Sequence, residues 1–540
     1  MITNIVNLND FCRQDDLSTF REALKYCREN PHTTLIIPPG KYVIRDEAAV
    51  TLMNAAMNGE MGNNPQEHIF THYFPYSRGL DFSGCRDITV EGYGAWILCD
   101  GWMEPVTLEN CQDITIKGIT IDYLRKPYSI GTVINEGEEF YEVSFDEKYP
   151  VNSNMPTPRV YAYSREKARF SDEGWDCDKK ELVGSRTLRF YGEKPGVLKG
   201  ERVCVWHSFH FRPAVFINEA LNTSLFEVTI HSQPGMGIVG HRSENIHVKR
   251  LRIVPEAGEY MSTNTDATHF TSCKGELTFK DCQFEGHGDD AINVHNYYYN
   301  IKNNRGNTCE ITVEDADAHA QVLDYPDVSD TLELVQIETL APVREYKVVS
   351  VDNLKDQWKS KIVLDEALPD DSSQYYLINV TRLPELKFVG CHVRNHLARA
   401  VLIKTRNVLV EGCTFENSMG TAIHLAAEGG WHEGATSANV VIRNNRMLGC
   451  GHGNQGRIMG ASGICVNIDA ENTDTSDLHK NLLIENNIIQ GENAAQGIYI
   501  SSARDVTIRF NEISGCVEPV KVLNSSNVIV TDNHIIYASL

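Results

Sequence analysis

The sequence has little positive charge. It holds 50 Lys and Arg against 73 Asp and Glu in 540 residues, which gives a formal net charge of -23. Binding to the phosphates of a nucleic acid requires a basic face, so this balance argues against a nucleic-acid partner. Polyanionic glycans are poor ligands for the same reason unless a local basic cleft is present. A neutral substrate is therefore the better expectation.

Long apolar runs are also missing. No segment is long enough to span a bilayer, and residues 1–10 lack a basic region followed by an apolar run. These absences predict no membrane partner and a cytoplasmic location, or a secreted or periplasmic one if a leader has been removed. The 15 cysteines include no CxxC or other metal-ligand spacing, so we interpret them as reduced core residues.

A nine-residue pattern recurs towards the C-terminus. Its copies start at Asn407, Asn439, Asn481, Asp505 and Asn527. Each copy has apolar residues at places two, four and nine, and a small polar or thiol residue at place seven. Two period-2 pairs separated by a break are typical of two short strands that meet at a bend. The starts lie 32, 42, 24 and 22 residues apart, so the unit has just over 20 residues plus insertions.

The same pattern occurs earlier in the chain. It starts at Asp87, Asp113, Asn222, Asn245, Glu276 and Glu385. A single unit cannot bury its own apolar face, whereas stacked units can. Place seven of the last four copies holds Asn445, Asn487, Asn511 and Asn533. Buried amides at a bend need hydrogen-bond partners, so we expect these side chains to bond to one another, as is typical of parallel β-helices.

These repeats predict an all-β fold, a right-handed parallel β-helix (a solenoid). An amphipathic helix over residues 16–26 is expected to cap its first coil. Two stretches lack the pattern and are predicted to be small antiparallel β-barrel modules inserted between coils. The predicted domains are residues 1–122 (N-terminal coils with the cap), 123–205 (first module), 206–298 (coils with the catalytic residues), 299–380 (second module) and 381–540 (C-terminal coils).

Three aspartates fall at aligned positions in residues 262–296. Asp266 and Asp290 lie 24 residues apart, which is one coil, so we expect them to stack about 4.8 Å apart. Asp289 precedes the second of them, in the neighbouring column. A single aspartate here is more often a solvated turn residue. Three aspartates in register indicate a functional site. The nearby polar residues are Asn264, His269, His287 and His295.

Crowded carboxylates provide what acid–base hydrolysis needs. Mutual repulsion raises the pKa of one member while another stays ionised. Asp266 and Asp290 are expected to hold and deprotonate a water while Asp289 protonates the leaving oxygen. A water in that position implies inversion, with acid and base roughly 6.5–9.5 Å apart. Three carboxylates beside histidines also suit a hard cation, but no EF-hand-like or HExxH spacing is present, so we predict no metal and no cofactor.

The segments that carry these residues resemble a known family. PGMGIVGHRSENI, STNTDATHFTSCKG and GHGDDAINVHNYY resemble the α-1,3-galactosidases that remove blood-group-B-type terminal galactose. NTDA followed by GDDAI is also similar to the NTD and DD motifs of the polygalacturonases. The resemblance is specific over residues 214–300. It implies a β-helix with β-barrel insertions, inversion, and Asp266, Asp289 and Asp290 as the catalytic group.

The pattern departs from that of polygalacturonases at two points. The histidine of GHG precedes the aspartate pair, and the nearest basic residues are Arg399 and Lys404. Both departures weaken a uronate as substrate. Further candidates for substrate binding are Arg242, Arg399, Lys404, Glu428 and Trp431, together with the four polar residues named above. A plain surface role is about as plausible for each candidate taken singly, although an exposed Trp431 also suits stacking on a sugar face.

The leading functional prediction is an exo-acting, inverting glycoside hydrolase that releases terminal α-linked galactose from a glycan. We expect the linkage to be α-1,3. The alternatives are a polygalacturonase-like hydrolase, a polysaccharide lyase, and a non-catalytic glycan-binding β-helix. A β-helix fold hosts all of these roles. The oligomeric state stays open, a homodimer included.

Overall fold

The computed structural model describes residues 4–164, 166–175, 177, 179–192, 199–313, 322–453 and 461–536. These residues are mostly in β-strands. Thirteen strands form one parallel sheet. They are Asn4–Asn7, Thr33–Ile36, Arg86–Glu91, Gln112–Lys117, Leu221–Phe226, Glu244–Lys249, Lys274–Lys280, Glu385–Val389, Arg406–Glu411, Ala438–Arg443, His479–Glu485, Ala503–Arg509 and Ser526–Thr531.

The register of this sheet is the one that the nine-residue pattern predicts. Place two of every copy pairs with place two of the next, in the order Ile88, Ile114, Thr223, Ile246, Leu277, Leu386, Val408, Val440, Leu482, Val506 and Val528. In every copy except the last, the apolar residues at places two and four are buried in one large interior cluster, so the pattern faces the core. In the last copy Val528 is partly buried and Val530 is exposed.

Two further rows of parallel strands complete each repeat. The row after the bend contains Gly40–Arg45, Ala95–Asp100, Thr120–Tyr123, Thr229–Ile230, Arg252–Ile253, Gln283–Glu285, His392–His396, Thr414–Ser418, Arg446–Leu448, Ile488–Ile500, Glu512–Val522 and His534–Ile536. The last row contains Arg78–Asp81, Glu104–Glu109, Val215–Asn218, Ile238–His241, Thr268–Thr271, Ile292–Arg305, Val401–Ile403, Ile423–Leu425 and Ala461–Val466. The catalytic candidates lie just before strands of this last row.

The asparagine ladder is confirmed. The amide Nδ2 of Asn445 donates to Oδ1 of Asn487 at 3.0 Å, and Asn487 donates in the same way to Asn511 at 3.0 Å. Asn511 continues the ladder to Asn533 at 2.9 Å. The first three side chains are buried, with 1% of their surface exposed. Each side-chain amide therefore supplies a hydrogen bond to the buried amide next to it along the axis of the stack.

A second ladder runs along place one of the pattern. Asn481 donates to Asn439 and Asn439 to Asn407, each at 2.9 Å. These residues have φ values of 57°, 56° and 60°. Asn and Asp adopt this left-handed conformation more readily than other non-glycine residues. Nine of the eleven copies start with Asn or Asp, and all nine of these residues have a positive φ. The recurring Asn or Asp is therefore a backbone requirement as well as a hydrogen-bonding one.

An α-helix covers one end of the stack, as predicted. It spans Asp16–Glu29, three residues beyond the predicted end, and it buries Phe20, Ala23, Leu24 and Cys27 against the coil interior. The other helical segments among the described residues are Glu47–Met57, Gln66–Ile69, Leu8–Phe11, Lys355–Gln357 and Ser372–Gln374. No helix among the described residues is long and apolar enough to cross a membrane.

The first insertion is a seven-stranded antiparallel sheet. Its strands are Tyr128–Glu136, Phe140–Phe145, Arg159–Ser164, Arg169–Trp175, Lys180–Gly184, Thr187–Tyr191 and Arg202–Trp206. The described pairings place Arg169–Trp175 and Lys180–Gly184 at the two ends of the strand order, so closure of this module into a barrel stays a prediction. Its apolar core reaches the coils at Met261, Leu397 and Met419.

The second insertion is a small antiparallel barrel. Its six strands pair in a closed ring, in the order Ile292–Arg305, Thr308–Thr312, Lys359–Leu364, Pro342–Leu354, Thr331–Gln336, Tyr375–Asn379 and back to the first. Strand Ile292–Arg305 starts in a coil, two residues after Asp290, and ends in the barrel. The candidate site is therefore joined to the barrel by one continuous strand.

Candidate active site

The three aspartates meet where successive coils stack. The amide of Ala267 donates to the carbonyl oxygen of Asp290 at 2.9 Å, so Asp266 and Asp290 are aligned just before two adjacent strands, as the 24-residue spacing predicts. Ala267 and Ala291 point into the core. Asp266 and Asp290 are buried, with exposed fractions of 5% and 1%, while Asp289 is partly exposed.

The glycine before the aspartate pair allows this close stacking. A Cβ atom on Gly288 would lie 2.0 Å from the carbonyl oxygen of Asn264 and 2.5 Å from the ring of Trp206. His287 uses Nδ1 to bond the carbonyl oxygen of Asp289 at 2.8 Å. Asn264 donates to the carbonyl oxygen of Ser208 at 2.6 Å. These contacts fix the backbone around Asp289 and tie it to the end of the first insertion.

Arg399 grips Asp290 from the next coil. Its backbone N–H, Nε and Nη2 donate to the Asp290 carboxylate at 2.9, 3.0 and 2.9 Å. Its Nη1 donates to Glu428 at 2.8 Å. The guanidinium is thus shared between two buried carboxylates. Asp290 has more donors to its ionised form than the other two aspartates have among the described residues.

A tight turn brings two glutamates to the same place. Glu428 and Glu433 bond each other through their backbones across this turn, at 2.8 and 3.0 Å. Trp431 lies in the turn and is 48% exposed. Lys404, which is fully buried, forms ion pairs with Glu428 at 2.6 Å and with Glu433. Asn293 also donates to Glu433 at 3.2 Å.

Sequence reasoning missed Glu433 and Asn293. Glu433 lies in the insertion that follows the strand Ile423–Leu425, so the coil pattern does not place it. The one available signal is the Gly429–Gly430 pair between two glutamates, which is typical of a tight turn that returns the chain to the same point.

Two histidines continue the cluster from Asp266. Nδ1 of His269 lies 2.6 Å from Oδ2 of Asp266, and its Nε2 lies 2.7 Å from Nε2 of His295. His295 contacts the carbonyl oxygen of Asn296 through Nδ1 at 3.2 Å. Both imidazoles are buried.

One group of residues has metal-binding side chains close together. The nearest ligand atoms of His269, His295 and Glu433 lie within 4.8 Å of one another. However, the two Nε2 atoms are at hydrogen-bond distance, and the ammonium group of Lys404 contacts Glu433. We therefore interpret the group as hydrogen-bonded side chains and not as metal ligands.

Burial dominates the electrostatics of the aspartates. It raises the pKa of Asp266 and Asp289 well above the usual range, and the neighbouring carboxylates raise both further. Burial also raises the pKa of Asp290, but Arg399 and Lys404 oppose this shift. Asp290 is therefore the member of the three that is best held as an anion.

The glutamates are held ionised and the histidines neutral. Burial opposes ionisation of Glu428, but Lys404 and Arg399 outweigh it and lower its pKa to about 2. Burial also opposes ionisation of Glu433, but the paired ammonium group of Lys404 helps to keep its pKa well below the usual range. Burial lowers the pKa of His287 and of His295 to about 3.

Arg242 differs from the expectation. It lies outside this cluster, since its described partners are Glu219 at 3.3 Å, Asp327 at 2.8 Å and the ring of Tyr325. Through these contacts the guanidinium helps to hold the second insertion against the coils. The sequence placed Arg242 at the correct strand end but could not show which neighbours take up its charge.

Comparisons with known proteins place the chain among named relatives. Proteins named alpha-1,3-galactosidase B from Akkermansia muciniphila and Phocaeicola vulgatus are 25% and 27% identical, over 98% and 77% of this chain and 70% and 72% of their own length. Alpha-1,3-galactosidase A from Shewanella woodyi is 25% identical over 97% of this chain and 88% of its own. The resemblance to the α-1,3-galactosidases is thereby confirmed across most of the chain.

The comparisons with family models and with solved structures give weaker similarity. The search of family models gave no match. Among solved structures, an exopolygalacturonase from Thermotoga maritima aligns with 98% of this chain and 92% of its own at 12% identity and a TM-score of 0.39. A family 28 exopolygalacturonase from Yersinia enterocolitica aligns with 98% of this chain and 78% of its own at 11% identity and a TM-score of 0.38.

Proposed function

We propose that the chain is an exo-acting, inverting α-galactosidase on a right-handed parallel β-helix, which removes terminal α-1,3-linked galactose from glycans. The observation that carries the proposal is the aligned group Asp266, Asp289 and Asp290, with raised pKa values and one member held as an anion by Arg399. The named relatives support galactose as the sugar.

The environments of the three carboxyl groups suggest their roles. Asp289 is partly exposed and has a strongly raised pKa, which suits the acid that protonates the leaving oxygen. Asp290, ionised against Arg399, and Asp266, stacked beside it, suit the pair that holds the attacking water. Attack by this water on the face opposite the leaving group gives inversion.

The charges around the site favour a neutral sugar over a uronate. Arg399 is engaged by Asp290 and Glu428, and Lys404 by Glu428 and Glu433. Neither cation is left unpaired for a substrate carboxylate. Binding a uronate here would require breaking a buried ion pair, which costs about 3–5 kcal/mol. This cost argues against the polygalacturonase-like alternative.

The test is hydrolysis of an aryl α-galactoside and of a blood-group-B-type trisaccharide, followed by NMR of the first-formed sugar. We expect β-galactose. Retained α-galactose, or a covalent glycosyl-aspartate, would refute inversion. Polygalacturonate is the substrate that tests the polygalacturonase-like alternative. If the protein cleaves polygalacturonate but neither galactoside, the proposed specificity for galactose is wrong.

The remaining alternatives differ in their products. A lyase would give unsaturated sugars, and a non-catalytic glycan-binding protein would retain the trisaccharide unchanged. A cytoplasmic location and a homodimer remain predictions, which fractionation of the source cells and sedimentation of the purified protein would test.

A further inference from the structure

The contact between Asp266 and His269 belongs to a chain of hydrogen bonds with a defined end. The chain runs from Oδ2 of Asp266 through both nitrogens of His269 and both nitrogens of His295, at 2.6 and 2.7 Å. It ends at the backbone carbonyl oxygen of Asn296, 3.2 Å from Nδ1 of His295. All three side chains are at most 5% exposed.

The carbonyl group sets the direction of this chain. A carbonyl oxygen carries no hydrogen, so Nδ1 of His295 must be the donor. A neutral imidazole has one N–H, which makes Nε2 of His295 an acceptor. The hydroxyl of Thr271, at 3.2 Å, can also donate to this nitrogen, but Nε2 of His269 is nearer, at 2.7 Å, and must carry a hydrogen because two lone pairs at that distance repel each other. Nδ1 of His269 is then a second acceptor. The hydrogen between His269 and Asp266 must therefore come from the carboxyl group.

The surrounding charges are compatible with neutral imidazoles. The charged groups that face the chain are Asp289 and Asp290 from the next coil, Arg399 from the coil after it, and Glu433 and Lys404. Glu433 lies 3.5 Å from Nε2 of His295, but its charge is paired with Lys404. Burial lowers the pKa of both histidines, and it is the largest effect on each of them. A buried chain without formal charge is the arrangement that burial favours.

We propose that His269 and His295 are positioning residues that raise the proton affinity of Asp266, and so make it a stronger base for the attacking water. This inference rests on the proposed hydrolysis. In that step a water O–H bond breaks, its proton goes to Asp266, and the water oxygen bonds to the anomeric carbon. The glycosidic C–O bond breaks, and Asp289 protonates the leaving oxygen.

The chain predicts how activity depends on pH. The enzyme is active only after Asp266 has lost its proton. Burial and the carboxylates of Asp290 and Glu433 raise the pKa of Asp266 above its usual range. An acceptor at Nδ1 of His269 stabilises the protonated carboxyl group further. We therefore expect the acid limb of kcat/KM to lie at a higher pH than the limb of an ordinary aspartate.

Two substitutions of His295 separate this role from a packing role. His295→Leu removes the acceptor for His269, which then turns Nδ1–H towards Asp266 and stabilises the carboxylate. We expect the acid limb to move down by roughly one pH unit, with lower activity on the plateau because the base is weaker. His295→Gln keeps an acceptor for His269 and a donor for Asn296, so its acid limb is expected to stay at the wild-type position.

The measurement is the pH profile of kcat/KM on an aryl α-galactoside for the wild type and both variants, with thermal melts to check folding. The proposal is overturned if His295→Leu leaves the limb in place, or if His295→Gln moves it equally. Stoichiometric bound metal in the dialysed wild type, with activity lost in EDTA and restored by zinc, would also overturn it.

An NMR measurement is independent of activity and of the variants' folding. Long-range 15N–1H spectra of the 15N-histidine-labelled wild type should show the hydrogen on Nε2 of His269 and on Nδ1 of His295. A hydrogen on Nδ1 of His269 would refute the chain. If the wild type hydrolyses no α-galactoside at any pH, the proposed function fails, and this spectrum alone decides the arrangement.

Discussion

Arg399→Gln tests the electrostatic centre of the site. In the folded protein the guanidinium makes two charge-assisted bonds to Asp290 and one to Glu428, and all of these groups are buried or nearly so. Glutamine can replace one of these bonds but not the charge. Removing one partner of a buried ion pair costs about 3–5 kcal/mol, because the remaining carboxylates stay desolvated.

This cost corresponds to a modest shift of the melting temperature. The unfolding entropy is about 2.1 cal/mol/K per residue, or about 1.1 kcal/mol/K for 540 residues. A loss of 3–5 kcal/mol therefore lowers Tm by about 3–4 °C. Differential scanning calorimetry resolves this difference. The matched control is Arg394→Gln, which removes an exposed ion pair with Glu285 and is expected to cost about 0–1 kcal/mol.

The loss of stability in Arg399→Gln also depends on pH in a defined direction. Burial already raises the pKa of Asp290, and removal of Arg399 raises it further above the unfolded value. The folded variant then binds this proton more tightly than the unfolded chain does. Its stability falls as pH rises from about 4 towards the folded pKa. We expect the Tm difference from wild type to be small near pH 4 and full at pH 7. A Tm equal to that of Arg394→Gln, or a difference that grows towards acid pH, would refute the reasoning.

Three other substitutions test the site and the stack. Asp289→Asn should lower kcat by about 10²-fold or more on a natural glycan and by less on an aryl galactoside, whose leaving group needs little protonation; equal losses on both, measured by steady-state kinetics, would contradict its role as the acid. Gly288→Ala should abolish measurable activity, because its Cβ would meet a backbone oxygen at 2.0 Å, whereas Gly40→Ala, with no atom nearer than 3.7 Å, should not. Asn511→Leu should lower the free energy of unfolding by about 1–3 kcal/mol, measured by denaturant unfolding. Asn533→Leu, at the partly exposed end of the ladder, should lower it by less. Equal losses would contradict a contribution from the buried stacked neighbours.

Much of the coil architecture could be predicted because each coil repeats the same requirements. Places two and four must be apolar, place seven must satisfy its neighbour, and place one favours a left-handed backbone. These requirements are local, so they appear at a regular spacing in the sequence. The same spacing predicted that Asp266 and Asp290 stack, since an aspartate one coil away is a neighbour in space.

The tertiary structure alone decided which charges meet. Glu433 and Lys404 are 29 residues apart and pair only because a turn in an insertion returns the chain to the site. The second insertion closes into a barrel through the pairing of its first and last strands, which strand periodicity alone does not determine. Arg242 likewise pairs with Asp327 of the second insertion. Insertions have no period, so the sequence determined the stacked coils and the tertiary structure determined the ion pairs that surround the aspartates.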